Sequence, residues 1–299
     1  MRPRRIAILA ERGLGPSGTL RFPYARLMTS TMVREALEED AAADDVTSIA
    51  TVQSERRARG RIIARRRGVI AGIPLAREAF KQRDPKASVR STVRDGQVVE
   101  AGAEVIFITG SPRGLLSAER VALNYLQRLS GIATLTHQFV DAIAGTNAKI
   151  LDTRKTTPGW RRLEKYAVRA GGGTNHRMDL GAAVLIKDNH LAALEGDVKV
   201  AVSRARDVAP GKPVEVECEH IGQVGAALDA GADIIMLDNM NLAKLREAVA
   251  LIDGHAVSEA SGGVRLDTVR AIAETGVDWI SVGALTHSAP ALDLALDFE

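Results

Sequence analysis

From residue 148 to the C-terminus, short apolar runs alternate with longer amphipathic stretches, and each apolar run breaks off into charged or glycine-containing sequence. Residues 148–151, 184–186, 214–218, 234–237, 256–259 and 279–282 read as strands; residues 159–170, 198–208, 222–230, 242–251, 266–274 and 290–296 read as helices. Strand and helix in regular turn predict a parallel α/β arrangement. Glu217 to Asp238 is 21 residues and Asp238 to Glu259 another 21, so one β/α unit recurs at near-constant length. The runs are fewer than the eight strands of a complete barrel, which predicts an irregular or incomplete β/α barrel.

Upstream the rhythm changes. Residues 26–39 carry helical spacing in Leu27, Val33, Ala36 and Leu37. Residues 49–53, 59–64, 69–71, 88–93, 97–99 and 104–110 follow as short strands around one helix at 74–82. This half predicts an N-terminal α+β sandwich domain over residues 25–130. Leu116, Val121, Leu123, Leu126 and Leu129 form a helical stripe that Gly131 is expected to break, with helix resuming at 135–144. The barrel is expected over residues 131–289, a last helix over 290–299 packing back on the N-terminal domain, and a weakly ordered extension over 1–24.

Composition narrows the class. Hydrophobic residues make up 45% and charged residues 26% of 299, an ordinary globular profile. Forty Lys and Arg against 37 Asp and Glu leave a net charge of +3, and aromatics are only 3%; both argue against a nucleic-acid binder. Cys218 is the one cysteine, which excludes an intramolecular disulfide and a thiolate metal cage. It falls in an apolar run, where a lone thiol is core filler. No apolar run reaches membrane-spanning length, and the expected location is the cytoplasm.

Candidate chemistry gathers in residues 151–190. Arg154, Lys155, Arg161, Arg162, Lys165, Arg169, Arg177 and Lys187 fall there among Gly171, Gly172, Gly173 and the potential anion donors Thr153, Thr174, Asn175 and His176. The triple glycine is expected to bring backbone N–H groups to an anion. The carboxyl ends of the proposed strands carry Arg154/Lys155, Lys187/Asp188, Glu217/Glu219, Asp238/Asn239, Glu259/Ser261 and Gly283, where a β/α barrel keeps its active site. Ser261, Gly262, Gly263 and Gly283 suit a phosphate cradle. Glu217 and Asp238 suit Mg²⁺ or a developing cation, and Arg154, Arg177 and Lys187 suit carboxylates. His137, His190, His220 and His255 lack a paired metal spacing and are expected to be structural.

Asp152-Thr153-Arg154-Lys155-Thr156-Thr157-Pro158-Gly159, Asn175-His176-Arg177 after the triple glycine, and Ile186-Lys187-Asp188-Asn189-His190 resemble quinolinate phosphoribosyltransferase (nicotinate-nucleotide pyrophosphorylase, carboxylating). So do Val214-Glu215-Val216-Glu217, Met236-Leu237-Asp238-Asn239, Glu259-Ala260-Ser261-Gly262-Gly263, Ala118-Glu119-Arg120 and Leu129-Ser130-Gly131-Ile132-Ala133-Thr134. The resemblance runs from about Thr31 onward. It implies transfer from phosphoribosyl pyrophosphate to quinolinate with decarboxylation, in a homodimer using Mg²⁺. It also implies that Arg120 (from the other subunit), Thr153, Arg154, His176, Arg177 and Lys187 hold quinolinate. Lys155 would meet the pyrophosphate, Glu217 and Asp238 would face ribose and metal, and Ser261, Gly262, Gly263, Gly283 and His287 would take the 5-phosphate. A same-fold paralogue of the molybdenum-transport-associated kind, acting on another anionic acceptor, is the alternative expectation.

Overall fold

The computed structural model describes residues 20–53 and 56–299, so most of the expected N-terminal extension lies outside the described residues. The described chain divides into two compact units. One comprises residues 20–137, Arg162–Gly172 and Ala289–Glu299; the other comprises Gln138–Arg161 and Gly173–Ser288. No helix among the described residues is long and apolar enough to cross a membrane.

The first unit opens with α1 (Arg26–Glu39), which buries Thr29, Val33 and Leu37, an i, i+4, i+8 stripe. Where a strand was expected at 49–53, the chain forms α2 (Val46–Thr51). The reason is local: the Asp45 carboxylate accepts the Ser48 N–H at 3.0 Å, an N-cap that outweighs the β-branched content of Val46, Thr47 and Ile49. Then come β1 (Ala58–Ala64), β2 (Gly68–Val69), α3 (Ile73–Arg83), β3 (Ser88–Ser91), β4 (Val98–Val99), β5 (Glu104–Gly110) and α4 (Pro112–Ala142). Asp95 takes the N–H groups of Gly72 and Ile73 at the start of α3, and the Tyr166 hydroxyl donates to the same carboxylate at 2.6 Å.

The second unit is built on β6 (Lys149–Leu151), β7 (Val184–Ile186), β8 (Val214–Cys218), β9 (Ile234–Asp238), β10 (Val257–Ser261) and β11 (Trp279–Ser281). Between them run α5 (Arg161–Ala170, mostly in the first unit), α6 (Asp188–Ala192), α7 (Val198–Val208), α8 (Ile221–Asp229), α9 (Leu242–Ile252) and α10 (Val269–Ala273), with α11 (Ala284–His287) after β11. The sheet order is β6-β11-β10-β9-β8-β7, and every pairing is parallel. That is a cyclic order. Thr174 adds an isolated parallel bridge to Leu151 on the free edge of β6, and among the described residues no ladder joins Thr174 to β7. The irregular, incomplete barrel expected from the rhythm of the chain is the observed one.

Two aspartates stitch its amino-terminal end. Asp233 accepts the Val214 N–H at 2.8 Å and Asp278 accepts the Ser258 N–H at 3.0 Å, each just before a strand and each tying down the start of another. Leu151, Ile234 and Trp279 pack together with Val257. Paired residues in a parallel ladder share a face, and so do residues two apart. The face that is apolar at Ile234, Val257 and Trp279 therefore continues through Met236, Glu259 and Ser281 to Asp238, Ser261 and Gly283 at the carboxyl ends.

The chain finishes as β12 (Leu294–Phe298), which pairs antiparallel with β1 in a sheet ordered β12-β1-β5-β3. A helix over 290–299 was expected; the segment is a strand because Leu292, Leu294 and Leu296 alternate with Asp293, Ala295 and Asp297, the period of an edge strand. Nor does Gly131 break the long helix: α4 is continuous. A Cβ at Gly131 would collide with the carbonyl oxygen of Pro290, so this glycine admits the C-terminal segment. Gly131→Ala separates the two readings. Helix propensity alone gains about 1 kcal/mol from it, whereas the clash costs about 1–3 kcal/mol. The expected result is a net loss, read as a lower denaturant midpoint at unchanged slope.

Candidate active site

The carboxyl ends of β8, β9 and β10 bring Glu217, Asp238 and Ser261 onto one face: Glu217 pairs with Met236, and Asp238 with Ser261. From the end of β7, Lys187 Nζ reaches Glu217 Oε2 at 2.8 Å. The Lys187 backbone is itself held, because its N–H donates to His190 Nδ1 at 2.9 Å. His220 plays a similar structural part by accepting the Gln223 N–H at the start of α8.

After β6 the chain turns on Asp152, which is fully buried. Its carboxylate takes the His176 N–H at 2.8 Å and the Asn175 amide at 2.5 Å. Thr153 Oγ1 accepts the Lys155 N–H at 3.1 Å, so this side chain shapes the loop that presents Arg154 and Lys155. Lys155 is anchored from the far side by the buried Thr286 hydroxyl, which donates to its carbonyl at 2.7 Å. A Cβ at Gly283 would sit 3.1 Å from His287 Nε2 and 3.2 Å from Lys155 Cδ, so Gly283, His287 and Lys155 converge as expected for groups that serve phosphates. Gly262 and Gly263 have φ of +92° and +60°. A Cβ on Gly262 would also collide with Asn239.

Arg154 and Arg177 are close enough to repel. Burial, and then the Arg154 charge, hold the Arg177 guanidinium below the usual arginine range. Arg154 Nε is buried with no hydrogen-bond partner among the described residues, while Arg177 Nη1 donates to the Ala183 carbonyl at 3.0 Å. Two half-satisfied guanidiniums side by side are a site for an anion, Arg being suited to bidentate carboxylate binding. Arg120 lies in the first unit, exposed on α4.

The structure revises several expectations. His176 does not turn its ring outward. It is 9% exposed, its Nδ1 accepts the Arg177 N–H at 2.7 Å, and its Nε2 lies 3.2 Å from Glu215 Oε2 and 3.4 Å from Glu259 Oε2. Glu259 was read as a strand exit, but β10 runs on to Ser261 and leaves Glu259 inside, accepting from the Ser281 hydroxyl at 2.5 Å. In the triple glycine, Gly171 and Gly172 have packing and turning duties: a Cβ on Gly171 would collide with the Ala133 carbonyl, and Gly172 turns the chain out of α5 at φ +88°. Asn239 was named only as a neighbour of Asp238; it stands at φ +53° and donates to Asp238 Oδ2 at 2.6 Å, orienting that carboxylate.

Two groups bear on metal chemistry. Glu217 and Asp238 form an oxygen-only, partly open pair of the kind that suits Mg²⁺, a cation that keeps several waters and shares substrate phosphates. His176, Glu215 and Glu259 also offer donor atoms within 4.8 Å of one another. There Nδ1 accepts the Arg177 N–H and Nε2 faces the two carboxylates. A metal-bound histidine makes the opposite arrangement, with its outer nitrogen donating. Burial disfavours a charged ring, and the Glu259 and Glu215 carboxylates outweigh it, pushing the ring up to about 10. Cys218 is buried, and burial and the nearby Glu217 push its thiol up to about 12, the state of an inert core residue.

Comparison with known proteins agrees with this architecture. Residues 45–130 match the quinolinate phosphoribosyl transferase N-terminal domain and residues 132–297 the C-terminal domain of that family. The chain is 44% identical over 273 residues to the nicotinate-nucleotide pyrophosphorylase [carboxylating] of Mycobacterium leprae (strain TN), covering 89% of this chain and 95% of the relative. It is 41% identical to the chloroplastic enzyme of that name from Oryza sativa subsp. japonica, over 99% of this chain and 85% of the relative. The solved nicotinate-nucleotide pyrophosphorylase from Francisella tularensis superposes with a TM-score of 0.87 at 38% identity, covering 94% of this chain and all (100%) of that one. The chain belongs to the quinolinate phosphoribosyl transferase family and is a phosphoribosyltransferase enzyme.

Proposed function

We propose that this enzyme transfers the phosphoribosyl group of phosphoribosyl pyrophosphate to the ring nitrogen of quinolinate, with Mg²⁺, and releases nicotinate mononucleotide, pyrophosphate and CO₂. It would do so in the cytoplasm, as a homodimer on the de novo NAD route. The observation that carries the reading is the mixed sign of the strand ends: Arg154 beside Arg177, a Lys187–Glu217 pair, and the Asp238 carboxylate, all at the carboxyl side of one parallel sheet. A dianionic acceptor and a pyrophosphate cannot lie side by side without cations between them, whereas a sugar C1 losing pyrophosphate develops positive charge and needs carboxylates.

In this reading Arg154, Arg177 and Lys187, with Thr153 shaping the loop and Arg120 from a second subunit, hold the acceptor. Lys155 meets the pyrophosphate, and Ser261, Gly262, Gly263, Gly283 and His287 hold the 5-phosphate. Glu217 and Asp238 face C1 and would hold the metal, which when bound supplies positive charge to the departing pyrophosphate. Once the ring nitrogen is glycosylated it is a pyridinium, and it accepts the electron pair left when the adjacent carboxylate departs as CO₂. No separate decarboxylation cofactor is needed.

Purified protein mixed with quinolinate, phosphoribosyl pyrophosphate and Mg²⁺ is expected to form nicotinate mononucleotide and CO₂ in equal amounts. Removal of divalent cations is expected to stop turnover, and Mg²⁺ to restore it. Product from another pyridine acid but none from quinolinate would sink the reading.

A further inference from the structure

Asn239 has a left-handed backbone, at φ +53°. Three other described residues that are not glycine share that conformation, and each follows a helix, where a left-handed residue is an ordinary terminator: Ala41 after α1, Glu195 after α6 and Asp253 after α9. Asn239 instead follows a barrel strand, β9. Asparagine tolerates the conformation better than most side chains, yet it still costs free energy, and such residues persist where their surroundings fix them.

Three contacts fix this one. Its N–H donates to the Ser261 carbonyl at 2.9 Å, which carries the β9–β10 ladder one residue past the Asp238–Ser261 pair. Its side-chain amide donates to Asp238 Oδ2 at 2.6 Å. The same amide fills the space over Gly262, where a Cβ would overlap its oxygen, carbon and nitrogen together. Gly262 is itself left-handed, at φ +92°, so the loop after β10 needs glycine there on two counts.

We propose that Asn239 is a positioning residue that interlocks the two strand ends, setting the Asp238 carboxylate and the Gly262–Gly263 loop at one fixed separation. This rests on the functional reading above and deepens it. In that reading the donor sugar has its C1 beside Asp238 and its 5-phosphate at the glycine loop, so one molecule must meet both. An amide that touches both holds them in register before the donor arrives. The acceptor, held by Arg154, Arg177 and Lys187, does not depend on this link.

Asn239→Gly tests the interlock without disturbing the fold, because glycine adopts the left-handed backbone freely. Asn239→Asp keeps the shape but replaces the donor with a second carboxylate against Asp238. Both are expected to raise KM for phosphoribosyl pyrophosphate about tenfold or more, since small displacements of a positioned group are costly, with KM for quinolinate within about twofold. A calorimetric titration uses phosphoribosyl pyrophosphate and Mg²⁺ in the presence of the benzene analogue of quinolinate, which has both acids and no nitrogen to glycosylate. It is expected to show the same loss of affinity. Native donor affinity in Asn239→Gly, or equal losses for donor and acceptor, would overturn the proposal.

If the native enzyme makes no product from quinolinate, the functional reading fails, and a measurement without substrate still decides the interlock. Gly262→Ala is expected to lower the denaturant midpoint about twice as far in the native chain as in Asn239→Gly, because only the native chain has an amide in the way of the new Cβ. Equal shifts in the two backgrounds would mean that the two residues do not touch in solution, and the interlock would be lost with them.

Discussion

Arg154→Ala is expected to lower kcat/KM for quinolinate by about a hundred- to a thousandfold, since losing one partner of a buried charged contact costs about 3–4 kcal/mol. The loss should fall on quinolinate, leaving KM for phosphoribosyl pyrophosphate little changed. Arg154→Lys is expected to recover only a minor part, because a point charge does not reproduce the two-pronged geometry of a guanidinium. The free protein should respond the other way. Arg154 Nε has no hydrogen-bond partner among the described residues and its charge repels Arg177, so its removal relieves strain that only a bound anion offsets. Tm without ligand should stay level or rise by an amount equivalent to a few tenths of a kcal/mol. The stabilisation that quinolinate gives the native enzyme should vanish from the variant. A marked fall in Tm with unchanged quinolinate kinetics would make Arg154 a structural residue and remove the centre of the proposed clamp.

The parts of this site visible in the sequence are those where burial and chemistry conflict at the end of a short apolar run. Lys187 after Ile186, Glu217 before Cys218 and Asp238 after Leu237 each put a charge at or beside a strand end, and the near-equal spacing of the runs made the barrel legible. Glu215 and Glu259 were harder to find because they interrupt the interior itself. The available signal was the period of two: a strand whose Glu217 faces the site must turn Glu215 to the same face, one layer down. Asp152 was read as the first polar residue of a loop, yet it is buried and binds residues more than twenty positions away, information that local pattern does not carry. β12 was misread for a related reason. The strand depends on pairing with β1 across more than two hundred residues. Gly131 and Gly171 looked like a helix breaker and an anion loop; each is a place where two backbone segments approach too closely for a Cβ.

Mixing inactive Arg120→Ala protein with inactive Arg154→Ala protein is expected to restore activity, if each site in the proposed homodimer draws Arg154 from one subunit and Arg120 from the other. Arg120 is exposed on α4 in the first unit, and Arg154, Arg177 and Lys187 belong to the second. In a mixed dimer the two lesions fall in the same site. One site then has neither arginine, and the other has both intact. Random reassortment from equal amounts makes half of the dimers mixed, each with one working site of two, so recovery should approach about a quarter of the native rate. Reassortment must be driven by dilution or mild denaturant and followed by the time course of recovery, with each variant alone as the control. Folded, exchanged mixtures that stay inactive would mean that Arg120 acts within its own subunit or not in the site at all. Recovery well above a quarter would require sites that share more than this one arginine.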